Sequence, residues 1–180
     1  MELRKLLVET TKVFDKLRIK YVLIGGYAGI LYNSPYTTAD IDFVVVSESV
    51  SLQLVEDLKR VGWIPTEEYR ELEELRAFGQ FYFKDYGYPL HILPHAAGYS
   101  LEKAVRISVT EIDGYRIKVC SLEDLIIMRL AVWTDEDKMK AVALYLANKA
   151  DLKYLEERAK EEKVLSRLHW LQKEIKSSQS

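Results

Sequence analysis

Apolar residues recur at helical spacing from the first residues of the chain. Leu3, Leu6, Leu7, Thr10, Val13, Phe14 and Leu17 share one face, so residues 2–17 predict an amphipathic helix. The short continuous run Tyr21-Val22-Leu23-Ile24 predicts a buried strand, and Gly25-Gly26 ends it in a tight turn. The small apolar residues 27–32 then predict a helix packed on the sheet, stopped by Asn33-Ser34-Pro35. Asp40 to Val46 is the strongest strand signal, being rich in β-branched residues. Val50, Leu54, Leu58 and Val61 place a helix in Ser49–Val61, closed by Gly62.

The charged stretch Glu67–Arg76 is expected to be an exposed loop or short helix. Phe78–Lys84 and Tyr88–Leu93 predict a hairpin around Asp85-Tyr86-Gly87. A second hairpin, Val105–Ile112 with Tyr115–Val119, turns at Asp113-Gly114. After Cys120 the period becomes helical, opening on the capping-box-like Ser121-Leu122-Glu123-Asp124 and breaking near Asn148-Lys149. The chain thus divides into an α/β core over 1–119, a helical region over 120–176 and a polar tail over 177–180, with Lys176–Ser180 expected to fray.

Composition narrows the classes of function. The 180 residues suit one domain, or a core with a small appendage. Lys and Arg number 26 against 28 Asp and Glu, a formal net charge of −2, which disfavours gripping nucleic acid by bulk basic charge. A single cysteine, Cys120, excludes an intrachain disulfide framework and a Cys-based zinc site. No apolar run approaches the roughly 18 residues needed to span a bilayer, and the first residues lack a signal peptide's apolar stretch. The expectation is a soluble cytoplasmic protein, with a charged, tyrosine-rich composition that hints at a thermophile.

The candidate chemistry is local. Asp40 and Asp42 stand one residue apart at the start of a strand, so they point to the same face. Two carboxylates so close repel unless a cation lies between them. Hard oxygen donors suit Mg²⁺ or Mn²⁺, which share one or two carboxylates with substrate phosphates. Gly25-Gly26 offers backbone N–H groups where a helix begins, a setting that favours phosphate. Either half alone is commonplace, the diglycine as a turn and Asp-x-Asp as a solvated strand end. The order strand, Gly-Gly, helix, loop, Asp-x-Asp, strand is far more specific.

Val22-Leu23-Ile24-Gly25-Gly26-Tyr27-Ala28 followed by Thr38-Ala39-Asp40-Ile41-Asp42-Phe43-Val44-Val45 resembles the nucleotidyltransferase superfamily, the DNA polymerase β-like palm fold. The nearest flavour is the small prokaryotic nucleotidyltransferase-toxin type of abortive-infection and toxin–antitoxin systems. The resemblance covers residues from about 18 to 146, and Ser121–Leu130 matches the helix that follows the family's core. It implies an α+β fold, with a mixed β-sheet flanked by helices and a C-terminal helical region. It also implies transfer of a nucleotidyl group from an NTP, expected to be ATP, to a hydroxyl of RNA or protein. Asp40 and Asp42 would ligate Mg²⁺ or Mn²⁺, Gly25, Gly26 and Thr38 would hold the triphosphate, and Arg129 and Lys140 would neutralise its charge.

The chain departs from the family pattern in four places. Tyr36 stands where the family has an arginine, and Arg129 where it has a lysine. Lys138-Met139-Lys140-Ala141 lacks the acid of a later Arg-x-Lys-Asp motif. The third acid is expected within Pro89–Leu93, and that slot holds His91. Three roles for His91 stay open: a general base, a neutral ligand to a softer ion such as Mn²⁺ or Zn²⁺, or the mark of a site that binds nucleotide without transfer. The last would make the protein a nucleotide sensor or a toxin–antitoxin-type interaction partner.

Other residues have ordinary readings. His91 and His95 flank Pro94, so they read as strand and loop residues rather than a helical metal pair. His169 reads as surface, and Cys120 as a buried structural thiol. Phe78, Phe81, Tyr82, Phe83, Tyr86 and Tyr88 divide between core and a face able to stack a base. Lys138, Lys140, Lys149 and Lys153 read as a solvated helix face. Leu144, Leu152, Leu155, Leu165 and Leu168 could build a helix–helix interface with another chain, in a homo-oligomer or with a partner protein.

Overall fold

In a computed structural model the described residues are 2–46, 48, 50–66, 79–84, 87–103 and 105–178. Helix α1, Glu2–Lys16, buries Leu6, Leu7, Val13 and Phe14 against the sheet. Its buried hydroxyls are satisfied locally: Thr10 donates to the Leu6 carbonyl at 2.7 Å and accepts from Trp63 Nε1 at 2.9 Å. Strand β1, Tyr21–Ile24, is buried along its whole length, as a continuous apolar run requires. It leads directly into α2, Gly25–Leu31, and then β2, Ile41–Val45. Helix α3, Leu52–Arg60, is capped by Ser51, whose hydroxyl accepts from Leu54 N. Phe14, Tyr21 and Phe43 form an aromatic cluster with ring centroids 5.0–5.6 Å apart.

Strands β3 (Trp63–Pro65), β4 (Gly79–Phe83), β5 (Pro89–Leu93), β6 (Ile107–Ile112) and β7 (Tyr115–Cys120) complete the sheet. Among the described residues its seven strands lie in the order β3-β4-β5-β2-β1-β7-β6. β1 and β2 are antiparallel, while β2–β5 and β1–β7 are parallel, so the sheet is mixed. The β6–β7 turn places Asp113 and Gly114 at φ 52 and 77, the left-handed pair that a two-residue hairpin needs.

Four helices follow: α4 (Leu122–Val132), α5 (Asp135–Ala147), α6 (Leu152–Glu161) and α7 (Leu165–Ser178). α4 is apolar on nearly all sides because it is central, packing against α2, α5, α6 and α7. It is tied to α6 by a buried network in which Asp124 accepts from Arg158 Nε, Tyr154 Oη and Ser121 Oγ at 2.8–2.9 Å. The apolar core is continuous from α1 and the sheet into these helices.

Several expectations need correction. β3 gave no sequence signal, being three residues long. The helical region breaks at Trp133-Thr134 and near Lys163 as well as at Asn148; Trp133 and Lys163 sit at φ 68 and 59, which no helix continues through. α7 runs to Ser178, so the tail is helical beyond Lys176. Leu144, Leu155 and Leu168 belong to this chain's own core rather than to an intermolecular face, and Leu152 alone of the five is exposed. The Glu67–Arg76 stretch, Phe78 and the Asp85-Tyr86 turn lie outside the described residues. No described helix is long and apolar enough to cross a membrane.

Candidate functional site

The strand register gathers the candidate residues at one end of the sheet. Because β1 and β2 are antiparallel, the exit of β1 lies beside the entry of β2, with Ile24 opposite Asp42. The glycine turn that follows Ile24 therefore sits directly on the Asp-x-Asp strand. Because β5 runs parallel to β2, His91 falls opposite Asp42, and β4 places Gln80 opposite His91. One row across three strands thus carries Asp42, His91 and Gln80.

Close approach explains the two glycines. Gly25 has φ +73, and a β-carbon there would overlap Asp42 Oδ2 and come within 2.8 Å of Asp42 Cγ. A β-carbon on Gly26 would lie 2.6 Å from Thr38 Cβ. Only hydrogen fits at either position, so the backbone of the turn packs directly on the acidic strand and on Thr38. The Thr38 hydroxyl donates to Asp40 Oδ1, which fixes the loop leading into β2.

Asp40, Asp42 and His91 each bring one donor atom within 4.8 Å of the others, all half-buried. Asp42 Oδ1 lies 2.6 Å from His91 Nδ1. That hydrogen bond raises the imidazole's pKa above its usual value; burial opposes the shift, and the charges of Asp42 and Asp40 reinforce it. On the other side of the ring, Gln80 Nε2 lies 3.1 Å from His91 Nε2.

A cleft of about 360 Å³ opens over this row, lined by Gly25, Gly26, Thr38, Asp40, Asp42, Arg129 and Lys140 among others. Arg129 projects from α4 and is braced by Asp137 Oδ1 at 3.0 Å. Its Nε is buried with no hydrogen-bond partner among the described residues, a donor left over for a ligand. Lys140, one helix further on, pairs with Glu136 at 2.5 Å. Two cations, Arg129 and Lys140, thus line the same cleft as Asp40 and Asp42, a composition suited to a polyanion that carries a cation. All eight predicted site residues, from Gly25 to Lys140, therefore meet in one place although 115 positions separate the ends of that set in the sequence.

The donor set fits a divalent ion of the Mg²⁺ or Mn²⁺ class. Two carboxylates supply hard oxygens, and room remains in the cleft for phosphate oxygens and water. An imidazole in the third position is compatible with Mn²⁺.

Two residues escaped sequence reasoning. Gln80 carried no signal, because its role depends on the β4–β5 register. Asp137, which braces Arg129 and closes a cap with Thr134, could have been found from the Thr-x-x-Asp spacing. Tyr36, in place of an arginine, stands 6.0 Å from Lys140 Nζ, so a cation still borders that position but comes from α5. Cys120 is buried beside the core, where desolvation pushes its thiol far up and makes it unreactive. His95 and His169 are exposed and neither joins the Asp40–Asp42–His91 cluster, as their ordinary readings expected.

Solved structures with the same fold include three of interest. The antibiotic-resistance factor ANT(2″)-Ia, solved with adenylyl-2″-tobramycin, shares 16% identity over 93% of this chain and 99% of that one, with TM-score 0.63. The lincosamide antibiotic adenylyltransferase LnuA, solved with lincomycin, shares 16% identity over 80% and 97%, with TM-score 0.58. An antigenic nucleotidyltransferase-like protein from Paracoccidioides brasiliensis shares 15% over 89% and 91%, with TM-score 0.51. At these identities the likeness shows a shared fold. No curated protein sequence matches the chain. The toxin-type flavour and the thermophile hint find no support in these neighbours. Residues 1–176 match the family described as "Nucleotidyltransferase of unknown function (DUF6036)", and the chain belongs to that family.

Proposed function

We propose that the protein transfers a nucleotidyl group from a nucleoside triphosphate, ATP in the first instance, to an acceptor hydroxyl. The observation that carries this reading is the Asp-x-Asp strand packed directly against the Gly25-Gly26 turn, in a cleft that Arg129 and Lys140 also line. Asp40 and Asp42 hold a divalent ion, Mg²⁺ or Mn²⁺, which when bound offsets charge on the phosphates as a Lewis acid. Gly25 and Gly26 donate backbone N–H groups to the triphosphate, and Thr38 fixes the loop beneath it. Arg129 and Lys140 neutralise the phosphate charge that builds up as the bond breaks. The acceptor oxygen attacks the α-phosphorus, the bond to the bridging oxygen breaks, and pyrophosphate leaves with that electron pair. The hydroxyl proton departs to solvent.

Small organic molecules are the acceptor class we favour over RNA. A second, mostly apolar groove of about 520 Å³ is walled by Tyr36, Met139, Val142, Leu146 and Trp170, with Asp135, Lys138 and Glu174 also in its lining. Its apolar lining and size match a drug-sized ligand rather than a phosphodiester backbone, and the net charge of −2 agrees. Antibiotic-bound neighbours with this fold support the same choice.

The experiment is transfer of label from α-phosphate-labelled ATP, with Mg²⁺ or Mn²⁺, into a panel of hydroxylated small molecules and into cell RNA and protein. Label should enter a small molecule and vanish in Asp42→Asn. Tight nucleotide binding with no transfer to any acceptor would instead favour a nucleotide sensor. Labelling that survives Asp42→Asn would overturn the assignment.

A further inference from the structure

The strand row Asp42–His91–Gln80 bears on what a histidine does in the slot of the third acid. Both ring nitrogens of His91 are engaged across the sheet. Nδ1 faces Asp42 Oδ1 at 2.6 Å, and Nε2 faces the Gln80 amide at 3.1 Å. A carboxylate only accepts, so the ring must carry its proton on Nδ1 to make the shorter contact. The Gln80 amide suits that tautomer, since its NH₂ donates to the bare Nε2. Its second hydrogen reaches the Tyr82 hydroxyl at 3.3 Å, which ties the amide to β4. If the ring takes a second proton, the same amide turned by 180° accepts from Nε2, and Nδ1 still donates to Asp42.

Asp42 is correspondingly divided. Oδ1 is held by His91, while Oδ2 is the atom that a β-carbon on Gly25 would overlap, so it faces the glycine turn. The carboxylate is clamped between a hydrogen-bond donor behind it and the proposed phosphate cradle in front.

On the reading that Asp40 and Asp42 hold the ion, we propose that His91 is a positioning residue, neither general base nor metal ligand. It donates Nδ1–H to Asp42 Oδ1, Gln80 locks its ring, and Asp42 Oδ2 is thereby presented to the cation. The arrangement matches the general pattern in which a carboxylate ligand is oriented by a hydrogen-bonded neighbour behind it. The ion's protein ligands are then two carboxylates, the remaining positions belonging to phosphates and water. Gln80 joins the site as the residue that sets His91's orientation.

Nitrogen-15 NMR of histidine-labelled full-length protein tests this, with the His91 signals assigned by their loss in His91→Asn. Without metal, His91 Nδ1 should carry a proton, and adding Mg²⁺ with a non-hydrolysable ATP analogue should leave that proton in place. Gln80→Leu should leave the Nδ1 proton, which Asp42 dictates, but free the ring to turn and weaken Mn²⁺ binding, read by titration, by about tenfold or more, the loss typical of removing an outer-shell partner. Gln80→Glu, which can still accept from a protonated ring, should restore binding to within a few-fold of wild type.

A proton on Nε2 alone in the metal-free protein, or loss of the Nδ1 proton when the metal complex is added, would overturn the inference. So would unchanged Mn²⁺ affinity in Gln80→Leu. Failure of the underlying reading looks different: Mn²⁺ affinity would be insensitive to Asp42→Asn, whatever the His91 signals report.

Discussion

Gly25→Ala combines two effects that can be separated within this protein. Gly25 sits at φ +73, and Gly114 at φ +77, so alanine at either pays the same left-handed backbone cost, roughly 1–2 kcal/mol. Each also gains a similar, smaller amount from a less flexible unfolded chain, about 0.4–1 kcal/mol. The sites differ in their neighbours. A β-carbon on Gly114 meets nothing within 4 Å, whereas on Gly25 it overlaps Asp42 Oδ2 and lies 2.8 Å from Asp42 Cγ. Asp42 must swing away and break its hydrogen bond to His91, a charge-assisted bond worth about 1.5–3 kcal/mol. Urea unfolding should therefore find Gly114→Ala less stable than wild type by no more than about 1.6 kcal/mol, with Gly25→Ala less stable by a further ~1.5–3 kcal/mol. Titration with Mn²⁺ should find Gly114→Ala unchanged and Gly25→Ala weakened at least about tenfold, since a displaced carboxylate is a lost ligand. Equal stability losses in the two variants, or wild-type Mn²⁺ affinity in Gly25→Ala, would refute the packing of the turn on Asp42.

Two further outcomes follow from the charges. Asp124→Ala removes the carboxylate that accepts from the buried Arg158 Nε, side chains 0% and 4% exposed in the intact pair, while Glu161 and Glu162 still pair the other guanidinium nitrogens; the lost charge-assisted bond should cost about 1.5–3 kcal/mol in urea unfolding. A loss under 1 kcal/mol would mean that the α4–α6 network contributes little. His91 has its pKa raised in the folded state by the hydrogen bond to Asp42, so its contribution to stability is fully present below its unfolded value of about 6.5. That contribution is lost as pH rises through the higher folded value. The stability gap between wild type and His91→Asn should accordingly narrow between pH 5.5 and pH 9, and a gap that widens would contradict the sign.

Much of the site was legible in the sequence because it is built from local constraints. A strand followed by Gly-Gly and a later Asp-x-Asp strand fixes which face each carboxylate takes. That the two strands are antiparallel neighbours follows from the fold family rather than from periodicity. His91 was visible as a departure from pattern, but its partners were not, since Asp42 opposite and Gln80 beyond depend on register across three strands. Gln80 sits in a run whose aromatic neighbours dominate any reading of the sequence. The helical region was legible as helix and opaque as architecture: α4 is apolar all round, so no face could be assigned until its four neighbouring helices were known. The same blindness made Leu144, Leu155 and Leu168 look available to another chain, when their apolar faces close this chain's own core.

The central claim is that Asp40 and Asp42 convert this cleft into a metal-dependent nucleotide site. Isothermal titration of a non-hydrolysable ATP analogue addresses it directly, using wild type and Asp42→Asn with Mg²⁺ and with the metal chelated. Wild type is predicted to bind only with the metal, and Asp42→Asn to lose at least about tenfold in affinity, no less than removal of an outer-shell partner costs. Nucleotide affinity that is the same with and without metal, and the same in Asp42→Asn, would contradict it.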